Sequence, residues 1–335
     1  MCPSRATLST AGTIERDMDA HRAAAQFPDE QSEDGRFVRQ QDAFREWVRA
    51  DGSSPYPAVA SRYHLYVSFA CPWAHRTIVT RKLKKLEQAI PMTVVDPIRD
   101  ERGWHFGERF LSELYLATDP GYRGRVTVPV LWDTQTQRIV SNSDDDIMRM
   151  FETEFDALGD ASLDLYPLAL RKEIDALNEA IFTAVNDGVY KAGFATSQHA
   201  YEEAARTLFA MLDRLDERLA TRRYLFGDRP LETDWRLFVT LVRFDAVYVG
   251  HFKCNLRRIA DYPHLSGYLR DLYQIPGVAE TVNFDHIKRH YYMTHDDINP
   301  TRIVPIGPLL SLDAPHGREQ MSAALAPSEG KQPRP

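Results

Sequence analysis

The sequence predicts two units in series, one α/β and one all-α, and three observations carry that expectation. Between Tyr63 and Phe155 the apolar pattern switches back and forth between short strand-like runs and helical spacing. From Leu165 to about Tyr273 the strand signals vanish, and apolar residues recur every three or four positions. The chain has 335 residues, 43% of them hydrophobic, which is length enough for two compact domains with a sizeable core.

Residues 1–60 are polar and charge-mixed and end in Gly52-Ser53-Ser54-Pro55-Tyr56-Pro57, so they read as an extension packed on a domain, with a short helix near Asp42 to Val48. His64-Leu65-Tyr66-Val67 predicts a strand. Thr77-Ile78-Val79 through Leu83 and Leu86 predicts a helix, and Thr93-Val94-Val95 a second strand. Val128 to Trp132 and Arg138 to Val140 flank Asp133-Thr134-Gln135-Thr136-Gln137 at hairpin spacing, with a helix expected from about Asp144. The order β-α-β, then β-β-α, is that of a thioredoxin-like domain over residues 61–156.

The second unit spans residues 165–298. Leu170, Ile174, Leu177, Ile181 and Val185 form one helical stripe, and Tyr201, Ala205, Leu208, Leu212, Leu215 and Leu219 form another. Further helices are expected from Asp234 to Val249 and from Pro263 to Tyr273. Residues 299–335 are rich in proline and small residues, a C-terminal extension whose last twenty or so residues read as disordered.

Charge and cysteine content narrow the function. With 41 basic against 48 acidic residues, a net charge of −7, no nucleic-acid partner is expected. No apolar run approaches the roughly 18 residues of a membrane span, and the opening residues lack the apolar segment of a secretory signal. Cys2, Cys71 and Cys254 are few, dispersed and odd in number, which fits a reducing compartment and a cytoplasmic protein. Nucleotide-loop, zinc-protease and serine-hydrolase motifs do not occur.

Cys71-Pro72-Trp73-Ala74 falls where the first strand ends and a helix begins, with proline suited to the first helical turn. Unpaired N–H groups there stabilise a thiolate, so a pKa below the free value of about 8.5 is expected for Cys71. Position 74 is alanine, so no second cysteine resolves a disulfide and an external thiol must do so. The competing reading of Cys71 is a small buried hydrophobe; a second one makes His75, four residues on, its base. Val128-Pro129 opens a strand, where a cis bond would leave neighbouring backbone groups free for a peptide ligand. His286, His290 and His295 with Asp296 and Asp297 invite a metal reading, but Lys288 and Arg289 lie between them. They read as solvated, and no metal is expected.

At these residues the sequence resembles the xi-class glutathione transferases, the glutathionyl-hydroquinone reductases. The resemblance runs from about Tyr63 to Pro308. It is carried by the strings 63–68 and 71–76, Gly103-Trp104, residues 124–133, residues 188–195, His251-Phe252-Lys253-Cys254-Asn255 and residues 286–292. It implies the glutathione transferase architecture, usually a homodimer, and a reaction on small-molecule quinone or hydroquinone conjugates. The thioether of a glutathionyl-hydroquinone is cleaved by a second thiol, glutathione, through a mixed disulfide on Cys71. Tyr190, Tyr291 and Tyr292 would serve the hydroquinone oxygens. Trp104 would cover the glutathione, and Arg125 with the Val128 backbone would hold it.

One departure concerns the thiol. Where the family usually has Glu-Ser, this chain has Ser143-Asp144-Asp145-Asp146, which suits a helix start but repels a carboxylate. Ser143 would then bind in part, and Asp144 would face the γ-glutamyl ammonium, unless another low-molecular-weight thiol is used. Leu231 stands where the family commonly has a capping threonine. Two other functions share these residues: a general monothiol deglutathionylating transferase, and a non-enzymatic transferase-like binding module, against which the intact Cys71 argues.

Overall fold

Tyr63, Leu65 and Val67 alternate with His64 and Tyr66, and the alternation folds as strand β1 (Tyr63–Val67), buried at every odd position. The chain then turns into helix α1 (Pro72–Leu83) and returns as β2 (Met92–Val94), parallel to β1 with Leu65 opposite Met92. A hairpin of β5 (Val130–Asp133) and β6 (Arg138–Ser141) completes a four-stranded sheet of order β2-β1-β5-β6, with both later pairings antiparallel. Helix α3 (Asp144–Thr153) follows and packs on α1. The computed structural model describes residues 28–100 and 103–321.

Between β2 and β5 the structure holds a two-stranded ribbon, β3 (His105–Phe106) with β4 (Arg109–Phe110), and helix α2 (Ser112–Thr118). Sequence periodicity did not predict them, because two-residue strands and a seven-residue helix are shorter than the windows that reveal a period. The expected helix near Asp42 to Val48 is absent. That stretch is extended along β6 instead: the Glu46 N–H donates to Val140 O at 2.9 Å and the Asn142 N–H to Phe44 O at 3.1 Å. Arg45 clamps Asp146 with two bonds of 2.7 Å. A seven-residue helix is marginal alone, and the open edge of β6 offers the same backbone groups better partners.

In the second unit, α4 (Arg171–Ile181) widens into a π-turn (Phe182–Asn186) and resumes as α5 (Gly188–Gly193). Helix α6 (Gln198–Leu219) is capped by Ser197. Helix α7 (Glu232–Arg243) also ends in a π-turn (Phe244–Tyr248), and α8 (Leu265–Tyr273) and α9 (Phe284–Thr294) complete the bundle. At the start of α7 Asp234 substitutes for a capping residue, its carboxylate accepting from the Leu231 N–H at 2.8 Å. A β-carbon at Gly193 would stand 2.2 Å from the Phe252 ring, so glycine is required where α5 ends. Each unit has its own core, around Leu65, Val130 and Phe151 in the first and Leu212, Phe238 and Leu265 in the second.

The C-terminal expectation needs correction in part. Arg318 is buried and its guanidinium donates to the carbonyls of Leu219 and Arg223, both at 3.0 Å, so the chain is packed to at least that point. The remaining residues expected to be disordered, 322–335, and Cys2 lie outside the described residues. Among the described residues no helix is long and apolar enough to cross a membrane.

Candidate active site

Cys71 is the residue before α1, in extended conformation, with Pro72 in the first helical turn. Its half-buried thiol sits 3.6 Å from the Val128 carbonyl, and the Val128–Pro129 bond is cis. The loop that carries it is fixed from the other unit. Arg243, wholly buried on α7, donates to Phe69 O at 2.8 Å and Ala70 O at 3.0 Å.

The thiol pKa departs from expectation. Burial pushes it above the ordinary cysteine value, outweighing the Ala74 and Trp73 N–H groups and the Arg243 charge, which pull it down. Desolvation of a thiolate in a narrow cleft costs more than one helix terminus returns. Alkylation of Cys71 by iodoacetamide should therefore still be accelerating at about pH 9, above the free-cysteine midpoint. A rate that levels off near neutrality would contradict this.

His75 is not the base of Cys71. Its Nδ1 lies 3.0 Å from Arg243 Nη1, which can only donate, so Nε2 carries the proton and donates to Thr281 Oγ1 at 2.8 Å. Both ring nitrogens are thus occupied, and burial, then Arg243, holds the imidazole neutral by pushing its pKa well down.

A cleft of about 640 Å³, counting its open mouth, runs between the units and is lined by Cys71, Trp104, Arg125, Val128, Tyr190 and Tyr291. The Tyr190 and Tyr291 hydroxyls, from α5 and α9, are 2.6 Å apart, and Tyr248 reaches Tyr291 at 3.0 Å. Burial foremost, then the Cys71 charge, pushes Tyr190 up to about 12, against the pull of Tyr291 and Arg39. Tyr292 is not brought to the cleft: its hydroxyl is turned to Ala246 O at 3.4 Å. Consecutive helical residues point about 100° apart, so Tyr291 and Tyr292 cannot share one face. Tyr248, which no sequence signal marked, extends the phenol chain in its place.

His290 and His295 are buried walls of this cleft rather than solvated residues. His290 stacks on Trp104, with centroids 5.0 Å apart, and its Nδ1 donates to Pro97 O at 2.7 Å. Burial drives its pKa down to about 3, and that of His295 well below the usual value. Both are neutral packing groups. Among the described residues no three His, Cys, Asp or Glu side chains gather as metal ligands.

Three charged wall residues carry no signal in the sequence. Glu30 and Arg39 come from the N-terminal extension and Arg99 from the loop after β2. Arg125 pairs with the buried Glu30 at 2.5 Å. Burial, then the Arg125 charge, brings Arg99 down to about 10.

Ser143 and Asp144 do not line this cleft. Ser143 caps α3, its hydroxyl accepting from the Asp146 N–H at 3.4 Å. The Asp144 carboxylate is on Arg76 at 2.9 Å rather than open to an incoming ammonium, and burial foremost pushes its pKa up to about 7.

A thioredoxin-like sheet with a lone cysteine at its first helix start, closed by a helical bundle, defines a glutathione transferase. The chain matches the glutathione S-transferase N-terminal domain over residues 70–154 and the C-terminal domain over residues 198–271. More particularly, it belongs to the glutathionyl-hydroquinone reductases, the xi class. It is 54% identical to the glutathionyl-hydroquinone reductase YqjG of Escherichia coli K12 over 87% of this chain and 94% of that protein. To PcpF of Sphingobium chlorophenolicum, also a glutathionyl-hydroquinone reductase, it is 47% identical over 84% of this chain and 92% of that one. The glutathione-bound structure of YqjG superposes with a TM-score of 0.80 at 55% identity, covering 82% of this chain and 96% of that one. A xi-class transferase from Natrialba magadii gives 0.81 at 51% identity, over 83% and 89%.

Proposed function

We propose that the chain cleaves the thioether of glutathionyl-hydroquinones with glutathione as second thiol and Cys71 as nucleophile. One observation carries this reading: a lone cysteine at a helix start shares its cleft with two phenols joined at 2.6 Å. In the keto tautomer of the conjugate the sulfur-bearing ring carbon already carries its hydrogen. The Cys71 thiolate attacks the glutathione sulfur, and the S–S bond forms as the C–S bond breaks. That bond's electron pair passes through the ring to its oxygen, so the hydroquinone departs as a phenolate, which Tyr190 and Tyr291 stabilise and protonate. A second glutathione thiolate then takes the glutathione from Cys71. The ring gains two electrons and two sulfurs are joined as oxidised glutathione.

Glutathione is favoured as the thiol by the likeness to the glutathione-bound YqjG structure, and Asp144, paired with Arg76 outside the cleft, sets no repelling charge against its carboxylate there. On this reading Trp104 and the Arg99–Arg125 side of the cleft meet the tripeptide, and the protein acts in a reducing cytoplasm as a homodimer. The test compares two substrates. Tyr190→Phe and Tyr291→Phe should lower kcat on a glutathionyl-hydroquinone by about 10²-fold. Reduction of a simple glutathione mixed disulfide, whose leaving thiolate needs no proton, should hold. Equal losses on both would assign the phenols to packing and favour the general deglutathionylating activity.

A further inference from the structure

The N-terminal extension supplies a cation that belongs to neither matched domain. Arg39 lines the cleft, and its Nε donates to Asp187 Oδ1 at 2.6 Å. Asp187 is buried at the start of α5, and its carbonyl accepts from the Tyr190 N–H at 3.0 Å. The guanidinium carbon stands 4.6 Å from the Trp73 ring centre, 4.9 Å from that of Tyr190 and 5.2 Å from that of Phe37. Its Nη2 is covered and has no hydrogen-bond partner among the described residues. A permanent charge is thus fixed beside one particular phenol, tied by the same carboxylate residue to the helix that carries it.

We propose that Arg39 is a positioning residue that acts through Tyr190 and makes the cleft selective for conjugates whose leaving group is a phenolate. A cation over the ring strengthens the phenol as a hydrogen-bond donor, and does so most when the acceptor oxygen gains negative charge, as it does when the C–S bond pair reaches the hydroquinone oxygen. A disulfide substrate places its departing charge on sulfur and draws nothing from Tyr190. The inference rests on the reductase reading, and it gives the extension a share in a selectivity that the phenols of the helical unit express.

The experiment compares Arg39→Gln, Arg39→Met and Arg39→Lys in the full chain, on glutathionyl-hydroquinones of graded ring acidity and on the mixed disulfide of glutathione with 2-mercaptoethanol. Methionine keeps an unbranched stem among the rings and protects against a failure of glutamine to fold. Both uncharged variants should lose about 10²-fold in kcat on the conjugates with KM little changed. They should keep the disulfide rate, and their rates should depend more steeply on the acidity of the leaving phenol. Lysine should restore most of the rate. Parallel losses on both substrates with an unchanged slope would reduce Arg39 to a packing role and overturn the proposal. If the wild type itself reduces the disulfide but no conjugate, the reductase reading falls and takes this inference with it; if the wild type reduces conjugates and the variants match it, only the role of Arg39 falls.

Discussion

Cys71→Ser should abolish turnover of glutathionyl conjugates, by at least about 10³-fold, while leaving the fold intact. A hydroxyl is nearly unionised at neutral pH and attacks sulfur poorly, and position 74 is alanine, so no neighbouring thiol can substitute. Intact mass after incubation with a conjugate should show one glutathione added to the wild type and none to the variant. Residual activity above a few per cent of wild type would remove Cys71 from the reaction. Cys254→Ser should leave turnover unchanged, because Cys254 is fully buried beneath Phe252 and Val189, outside the cleft.

Arg243→Met should be the most damaging substitution to the fold. The guanidinium is fully buried and serves Phe69 O, Ala70 O, Val239 O and His75 Nδ1. Removing it strands Phe69 O, Ala70 O and His75 Nδ1 in the interior, since Val239 O keeps its helical N–H partner, and unties the two units at the loop that carries Cys71. A loss of about 3–5 kcal/mol is expected, read from the urea midpoint at constant slope. Cys71 should also become harder to ionise, since the Arg243 charge is one of the influences that lower its pKa. A variant as stable as the wild type, with an unchanged alkylation profile, would show the link to be dispensable.

How far these features were legible follows from the length scale of each signal. Strand β1, the β5–β6 hairpin and the start of α3 at Asp144 were readable because each is a local period or turn. Cys71 was readable because a strand end, a proline and a missing second cysteine stand within four residues. The cleft walls were not. Glu30, Arg39 and Arg99 meet His290 from stretches up to 260 positions away, and nothing in the local sequence of those three marks them. His290 and His295 looked like surface residues near a chain end, yet α9 carries them inward against Trp104 and His251. Of the phenols, only the choice between Tyr291 and Tyr292 could have been made from helix geometry alone.

The π-turns act as a change of phase. Each residue of an α-helix rotates the next side chain by about 100°, and one extra residue in a turn shifts everything downstream by that step. Upstream of Phe182–Asn186 the helix is keyed to the core through Ile174 and Ile181; downstream it delivers Tyr190 to the cleft. The two stretches obey different clocks, and the turn between them sets the offset. Variation in this helix is therefore constrained by number as well as by kind: a one-residue deletion in the turn would swing Tyr190 out of the cleft even with every other side chain kept.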